Sequence, residues 1–138
     1  IDIGAKYDQY AADLTRTFYV GNPCIKFNQI YNTVLQAQLA AISGIKPGMT
    51  GADIDAIARN IINGAGYADN FGHGLGHGFG LHVHESPSIS ARSTDVICDG
   101  MVFTVEPGIY ISGWGGVRIE DDVVIENGRA KVLSSVRK

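Results

Sequence analysis

The sequence predicts an α+β fold in which a β-hairpin is followed by two helices and then by a run of strands. Three observations carry this. The first twenty residues alternate and are rich in Ile, Tyr, Thr, Phe and Val; two later stretches space their apolar residues as helices do; and from Met101 onward alternation returns, broken by Gly-Pro and Gly-Trp-Gly turns.

In order along the chain, residues 1–7 and 10–20 form the hairpin, with Asp8-Gln9 as its loop and Asn22-Pro23 closing it. From Lys26 to about Ser43, Ile30, Val34, Leu35, Leu39 and Ile42 recur at helical spacing until Gly44 ends the run. A second helix follows Lys46-Pro47-Gly48. Thr50 is its N-cap, and Asp53, three residues on, is a shorter-armed version of the capping-box acid. Ile54, Ile57, Ala58 and Ile61 make its buried stripe, and Gly64 and Gly66 terminate it. Residues 72–80 are extended, with Gly72, Gly74, Gly76, Gly78 and Gly80 on one face, so that backbone or ligand approaches closely there. Met101–Glu106, Ile109–Ile111 and Gly116–Glu126 are the later strands.

With 138 residues and 45% hydrophobic content, the chain is one domain's worth of sequence with enough apolar side chain for a core. A net charge of -3, with Arg137-Lys138 as the longest basic cluster, argues against a nucleic-acid partner. No apolar run has the length of a membrane span and the opening IDIGAKYD lacks signal-peptide order, so no membrane partner and a cytoplasmic location are expected. Cys24 and Cys98 lie far apart without a CxxC pattern and read as buried free thiols rather than a disulfide or a zinc site. The chain opens at Ile1-Asp2 in the middle of a strand, which suggests that sequence precedes it.

The carboxylates give the first chemical signal. With Asp8-Gln9 as a two-residue loop, opposed residues sum to 17, which sets Asp2 opposite Thr15. Asp13 is then on the same face, a diagonal neighbour of Asp2 at roughly 7 Å. Two carboxylates so placed can share one or two cations. A pair of solvated strand-end acids is the bland alternative, but the surrounding sheet is apolar and aromatic, and like charges that close repel without a counter-ion. Glu106 ends a strand just before Pro107, and in GGVRIEDD the alternation sets Arg118 and Glu120 on the face opposite Val117 and Ile119. Four carboxylates converging in one cleft need cations, and two divalent ions supply the balance. Oxygen-rich ligation with a single imidazole suits Mn²⁺, Co²⁺, Fe²⁺ or Zn²⁺.

All four histidines fall in FGHGLGHGFGLHVHE, residues 71–85. Along an extended strand at about 3.3 Å per residue, His73 and His77 stand roughly 13 Å apart, so only one of them ligates a given ion unless the segment curls. The glycines run GxGxG rather than GxGxxG, which argues against a dinucleotide loop, and His84-Glu85 does not open an HExxH helix because Ser88 stands four residues on. His82 and His84 share a face opposite Leu81 and Val83, and His82 has the simplest reading, a structural bystander.

Four blocks, DIGAKYDQYAADLTRTFYVG, HGLGHGFGLHVHESP, GMVFTVEPGIY and GGVRIEDDVVI, together closely resemble the Xaa-Pro peptidases, prolidase and aminopeptidase P, of the pita-bread metallopeptidase family. The resemblance spans nearly the whole chain. It implies the C-terminal portion of a pita-bread catalytic domain, residues 1–138, with the upstream half and an N-terminal domain missing. It implies two metal ions, Mn²⁺ first among those above, on Asp2, Asp13, His77, Glu106 and Glu120. It further implies that Glu106 relays the proton of a metal-bridging water, that His73 contacts substrate, that His84 binds substrate and stabilises the transition state, and that Arg118 balances charge. The substrate so implied is a small peptide with proline after the scissile bond, the assembly a homodimer, and these residues alone weakly active or inactive. The sequence departs from the family pattern at Gln9, where glycine is common, and at His82, where an acid is common. The alternatives are a methionine aminopeptidase-like enzyme, a metal-free hydrolase of the creatinase type and a non-catalytic pita-bread binding protein; the intact set of five matched positions and the LTRTF and HGxGHGxGLxxHE blocks favour the proline-specific enzyme.

Overall fold

A computed structural model describes residues 1–138. Strands β1 (Asp2–Tyr7) and β2 (Tyr10–Thr15) form the N-terminal hairpin, followed by α1 (Ile25–Gly44) and α2 (Gly51–Gly64). After these come β3 (Gly76–Gly78), β4 (Glu85–Ile89), β5 (Val102–Val105), β6 (Gly108–Ile111), β7 (Gly115–Arg118), β8 (Asp121–Glu126) and β9 (Arg129–Val132). Five strands make one antiparallel sheet in the order β4-β3-β5-β8-β9, and β1-β2 and β6-β7 are separate two-stranded ribbons.

The hairpin has the sequence-derived register, Asp2 opposite Thr15 and Tyr7 opposite Tyr10. Asp8 and Gln9 both take positive φ, 47° and 73°, so the two-residue loop is the primed turn whose twist matches the flanking strands. Gln9 holds this left-handed conformation without the freedom of glycine or asparagine. At Thr50 the capping box is complete: the Thr50 hydroxyl accepts from Asp53 N at 3.1 Å while Asp53 Oδ2 accepts from Thr50 N at 2.8 Å.

The core lies between the helices and one face of the sheet. Ile30, Val34, Ala37 and Ala41 of α1 and Ile54, Ala58 and Ile62 of α2 join Phe103, Val105, Val123 and Ile125 in one buried cluster. The buried stripe of α2 is rotated from the sequence expectation: Ile57 and Ile61 are only partly covered, and Asp55 and Ile62 are fully buried. Asp55 tolerates burial because Arg59 clamps both of its oxygens, at 2.7 and 2.9 Å. A second buried ion pair, Arg16 with Asp121 at 2.7 Å, joins the end of the hairpin to the start of β8, and Arg16 also donates to the carbonyls of Glu120 and Val136.

Four expectations need correction. The stretch Gly116–Glu126 is two strands, since β7 pairs with β6 whereas β8 pairs with β5; the chain turns at Glu120, whose N–H leaves the ladder to bond Thr15 O at 3.1 Å. Residues 72–80 are not one extended segment, because only Gly76–Gly78 pairs as a strand and a register shift follows His77. Residues 81–84 are likewise a bend rather than a strand, so His82 and His84 share no strand face. Cys24 and Cys98 are both exposed, not buried. Strands β4 and β9 have no counterpart in the sequence-derived elements.

Candidate metal centre

The face of the sheet away from the helices carries a cleft of about 500 Å³, lined by no hydrophobic residue. Asp2, Asp13, His77, Glu106 and Glu120 all border it, as do His73, His84 and Arg118. His82 does not. Hairpin register delivers Asp2 and Asp13, Pro107 ends β5 just past Glu106, and the turn between β7 and β8 presents Glu120. His77 arrives on β3, and the glycines in and before this strand let its two neighbours, β4 and β5, close in. A Cβ at Gly76 would collide with the Thr104 carbonyl, one at Gly78 with that of Ser86, and one at Gly74 with that of Ile89. These glycines therefore admit neighbouring strands rather than a ligand. Gly72 has open space, so the alternation has no single cause.

Ligating atoms of Asp13, His77 and Glu120 all lie within 4.8 Å of one another. His77 Nε2 is 3.3 Å from Glu106 Oε1 and 3.9 Å from Asp13 Oδ2. The other ring nitrogen, Nδ1, sits 3.1 Å from the Gly78 carbonyl, which can only accept, so Nδ1 carries the hydrogen and Nε2 faces the acids. A neutral imidazole would turn a lone pair toward carboxylates there. Either a proton or a cation must occupy that space.

The ionisation of these side chains expresses the same crowding. Burial pushes Glu120 up to about 8, against the Thr15 hydrogen bond and with the charges of Glu106, Asp13 and Asp2 adding to it. Asp13 is raised by burial and by Asp2 beside it. Burial works against a charged His77, but its hydrogen bond to Glu106 and the nearby acids overcome this and raise it to about 8. Burial likewise opposes the Glu106 anion, yet hydrogen bonds from His77 and Thr104 hold it below its ordinary value. Divalent ions fit this donor set: four carboxylates and one imidazole border a single polar cleft. Asp2 is the loosest member, its side chain 57% exposed and drawn to the Arg118 guanidinium.

Around this centre runs a hydrogen-bonded chain that sequence reasoning missed. His73 Nδ1–H donates to Gly74 O at 2.7 Å, and His73 Nε2 is 2.8 Å from the Tyr110 hydroxyl. Arg118 Nη1 donates to the same hydroxyl at 3.1 Å and Nε to Thr15 Oγ1 at 3.1 Å. His84 stacks obliquely on His77, ring centroids 4.3 Å apart. Asp122, whose Oδ2 accepts from Asp13 N at 3.2 Å, is pushed up to about 6 chiefly by burial. A sequence signal for Tyr110 did exist: its cross-strand partner is Gly116, and its ring also lies over Gly108, so glycines in register leave room for it.

The profile of metallopeptidase family M24 matches residues 1–127. The chain belongs to metallopeptidase family M24. Among its relatives in that family, an Xaa-Pro dipeptidase of Pyrococcus furiosus is 51% identical over 138 residues, all of this chain and 40% of the relative. The uncharacterized peptidase YqhT of Bacillus subtilis is 51% identical over 139 residues, with 100% of this chain and 39% of the relative covered. Of solved structures, a prolidase from Pyrococcus furiosus superposes with a TM-score of 0.98 at 51% identity, covering 99% of this chain and 41% of that one. An X-Pro aminopeptidase from Thermotoga maritima superposes with a TM-score of 0.95 at 44% identity, over 99% and 38% of the two chains. The α+β, pita-bread expectation and the resemblance to Xaa-Pro peptidases therefore hold over the whole chain. The chain spans about two fifths of the length of the M24 relatives it matches.

Proposed function

We propose that the protein hydrolyses the peptide bond before proline in small peptides, as an Xaa-Pro dipeptidase or aminopeptidase, with two divalent ions, Mn²⁺ first among Mn²⁺, Co²⁺, Zn²⁺ and Fe²⁺. The observation that carries this reading is the convergence of Asp13, His77 and Glu120 ligand atoms within 4.8 Å of one another, with Glu106 3.3 Å from His77. The names of the M24 relatives, Xaa-Pro dipeptidase and X-Pro aminopeptidase, support the choice of bond.

Asp2, Asp13, His77, Glu106 and Glu120 would hold the ions. When bound, they supply Lewis acidity for the scissile carbonyl and lower the pKa of water at the site. The chain's own groups do the rest. Glu106 Oε1 is fixed by Thr104 at 3.0 Å, which leaves Oε2 to take the proton of the attacking water and pass it to the proline nitrogen, a poor leaving group until protonated. His84, exposed on the loop over His77, donates to the oxygen on which charge develops. His73, edge-on to Phe71 with ring centroids 5.0 Å apart, offers an apolar edge to the proline ring. Arg118 offsets the charge of Asp2.

The full-length protein loaded with Mn²⁺ is assayed on Met-Pro and Met-Ala. Cleavage of Met-Pro that is abolished by chelation and restored by Mn²⁺ is the expected result. Preferential cleavage of Met-Ala would favour a methionine aminopeptidase-like enzyme, and no cleavage of either a binding protein.

A further inference from the structure

We infer that Arg59, held in place by Asp55, is a positioning residue for His73, so that an ion pair on α2 sets the wall of the cleft against which the proline ring of the substrate lies. This rests on the peptidase reading above and adds to it a residue that acts only through another. The stretch that carries His73, residues 71–75, lies outside every strand. It makes one backbone–backbone hydrogen bond, from Glu106 N to Leu75 O at 2.8 Å. His73 stands between Gly72 and Gly74, residues of wide backbone freedom, so local preference does not fix its place.

Side chains of α2 supply what a neighbouring strand would. Arg59 Nη1 donates to Phe71 O and Nη2 to His73 O, each at 2.8 Å, and Asp55 Oδ1 accepts from Leu75 N at 3.1 Å. Three alternate residues are thus bound by a single ion pair. Asp55 is fully buried, and both of its oxygens accept from Arg59, at 2.7 and 2.9 Å. A planar guanidinium can fork to a carboxylate and still reach two carbonyls; an ammonium cannot.

The same guanidinium begins a stack that ends in the cleft. It lies over the Phe71 ring at 4.2 Å, and Phe71 meets His73 edge-on with centroids 5.0 Å apart. The His73 ring is in turn 5.4 Å from that of Tyr110, whose hydroxyl is 2.8 Å from His73 Nε2. Arg59, Phe71 and His73 border a cavity of about 470 Å³ that shares His73, Gly74 and Ser90 with the acid cleft. Arg59 therefore holds the backbone of His73 directly and its ring through Phe71. His77 does not depend on the pair: its N–H bonds Thr104 Oγ1 at 3.1 Å and its ring the Gly78 carbonyl.

The test compares full-length wild type with Arg59→Lys and with the double variant Asp55→Asn, Arg59→Gln. The first keeps a cation beside Asp55 and the second leaves no charge unpaired, so neither strands a buried ion. With Mn²⁺ bound, kcat/KM for Met-Pro is expected to fall about tenfold or more in both variants, while that for Met-Ala and the metal content change little. An unchanged value for Met-Pro, or an equal fall for the two substrates, overturns the inference. A second arm needs no turnover: nitrogen-15 NMR of the histidine rings in the Zn²⁺-loaded protein. His73 Nδ1–H, bonded to Gly74 O, and His77 Nδ1–H, bonded to Gly78 O, should each give a slowly exchanging resonance in wild type. Loss of the His73 resonance alone in the variants supports the positioning role even in a protein that cleaves nothing. Both resonances kept, or both lost, overturns it even in an active peptidase.

Discussion

Thr15 Oγ1 donates a 2.6 Å hydrogen bond to Glu120 Oε2 and accepts one from Arg118 Nε at 3.1 Å. One buried hydroxyl therefore orients a candidate metal ligand and the arginine that faces another. Thr15→Val keeps the shape and removes both bonds, leaving a buried carboxylate oxygen unpartnered at a cost of about 1–3 kcal/mol. Metal titration of the full-length variant is expected to show weakened affinity, and Thr15→Ser to restore it. Unchanged affinity in Thr15→Val would mean that Glu120 is held by something else.

The two neighbouring imidazoles should separate experimentally. His77→Ala is expected to lower metal content and activity together, because Nε2 of His77 faces Asp13 and Glu106. His84→Ala, on an exposed loop, should retain metal and lose turnover by about 10²-fold or more, the scale of losing one oxyanion donor. Equal metal loss in both variants would contradict the assignment of ligands.

Glycines of the histidine stretch differ in what a methyl group would meet. Gly76→Ala would press into the Thr104 carbonyl and should destabilise the fold by several kcal/mol or displace His77. Gly72→Ala meets nothing within 4 Å and should be near neutral. Thermal melts of the two variants check this, and similar melting temperatures would contradict the packing described.

Acid should weaken the start of α2. Hydrogen bonds from the Thr50 side chain and backbone hold Asp53 below its ordinary value of 3.8, so the carboxylate is more acidic folded than unfolded. Its contribution is complete above the unfolded value and is lost as the pH falls through the lower folded value. Asp53→Ala is expected to lower the melting temperature near neutral pH, and the difference from wild type to shrink below pH 3.8. A difference independent of pH would show that the charge plays no part.

The hairpin and the capped helix were legible because both depend on local chemistry: the loop Asp8-Gln9 sets the register that opposes Asp2 to Thr15, and Thr50 with Asp53 marks the helix start. All eight candidate site residues border one cleft; strand parity had set Asp2 with Asp13 and Arg118 with Glu120, and family likeness alone had named the others. What escaped depends on contacts distant in sequence. The break at Glu120 follows from a bond to Thr15, a hundred and five positions away, which no alternation pattern records. Strand β4 has Pro87 in its middle and so lacks a strand's appearance. The hairpin β8-β9 does carry a local signal: Asn127 and Gly128, with φ of 54° and 78°, form a primed turn from an Asn-Gly pair.

Anomalous scattering from crystals of the full-length protein grown with Mn²⁺ tests the central claim most directly. Two ion peaks are expected between Asp2, Asp13, His77, Glu106 and Glu120, with His77 coordinating through Nε2. A cleft that stays free of metal at millimolar Mn²⁺, or ions bound elsewhere with those five side chains turned away, would contradict it.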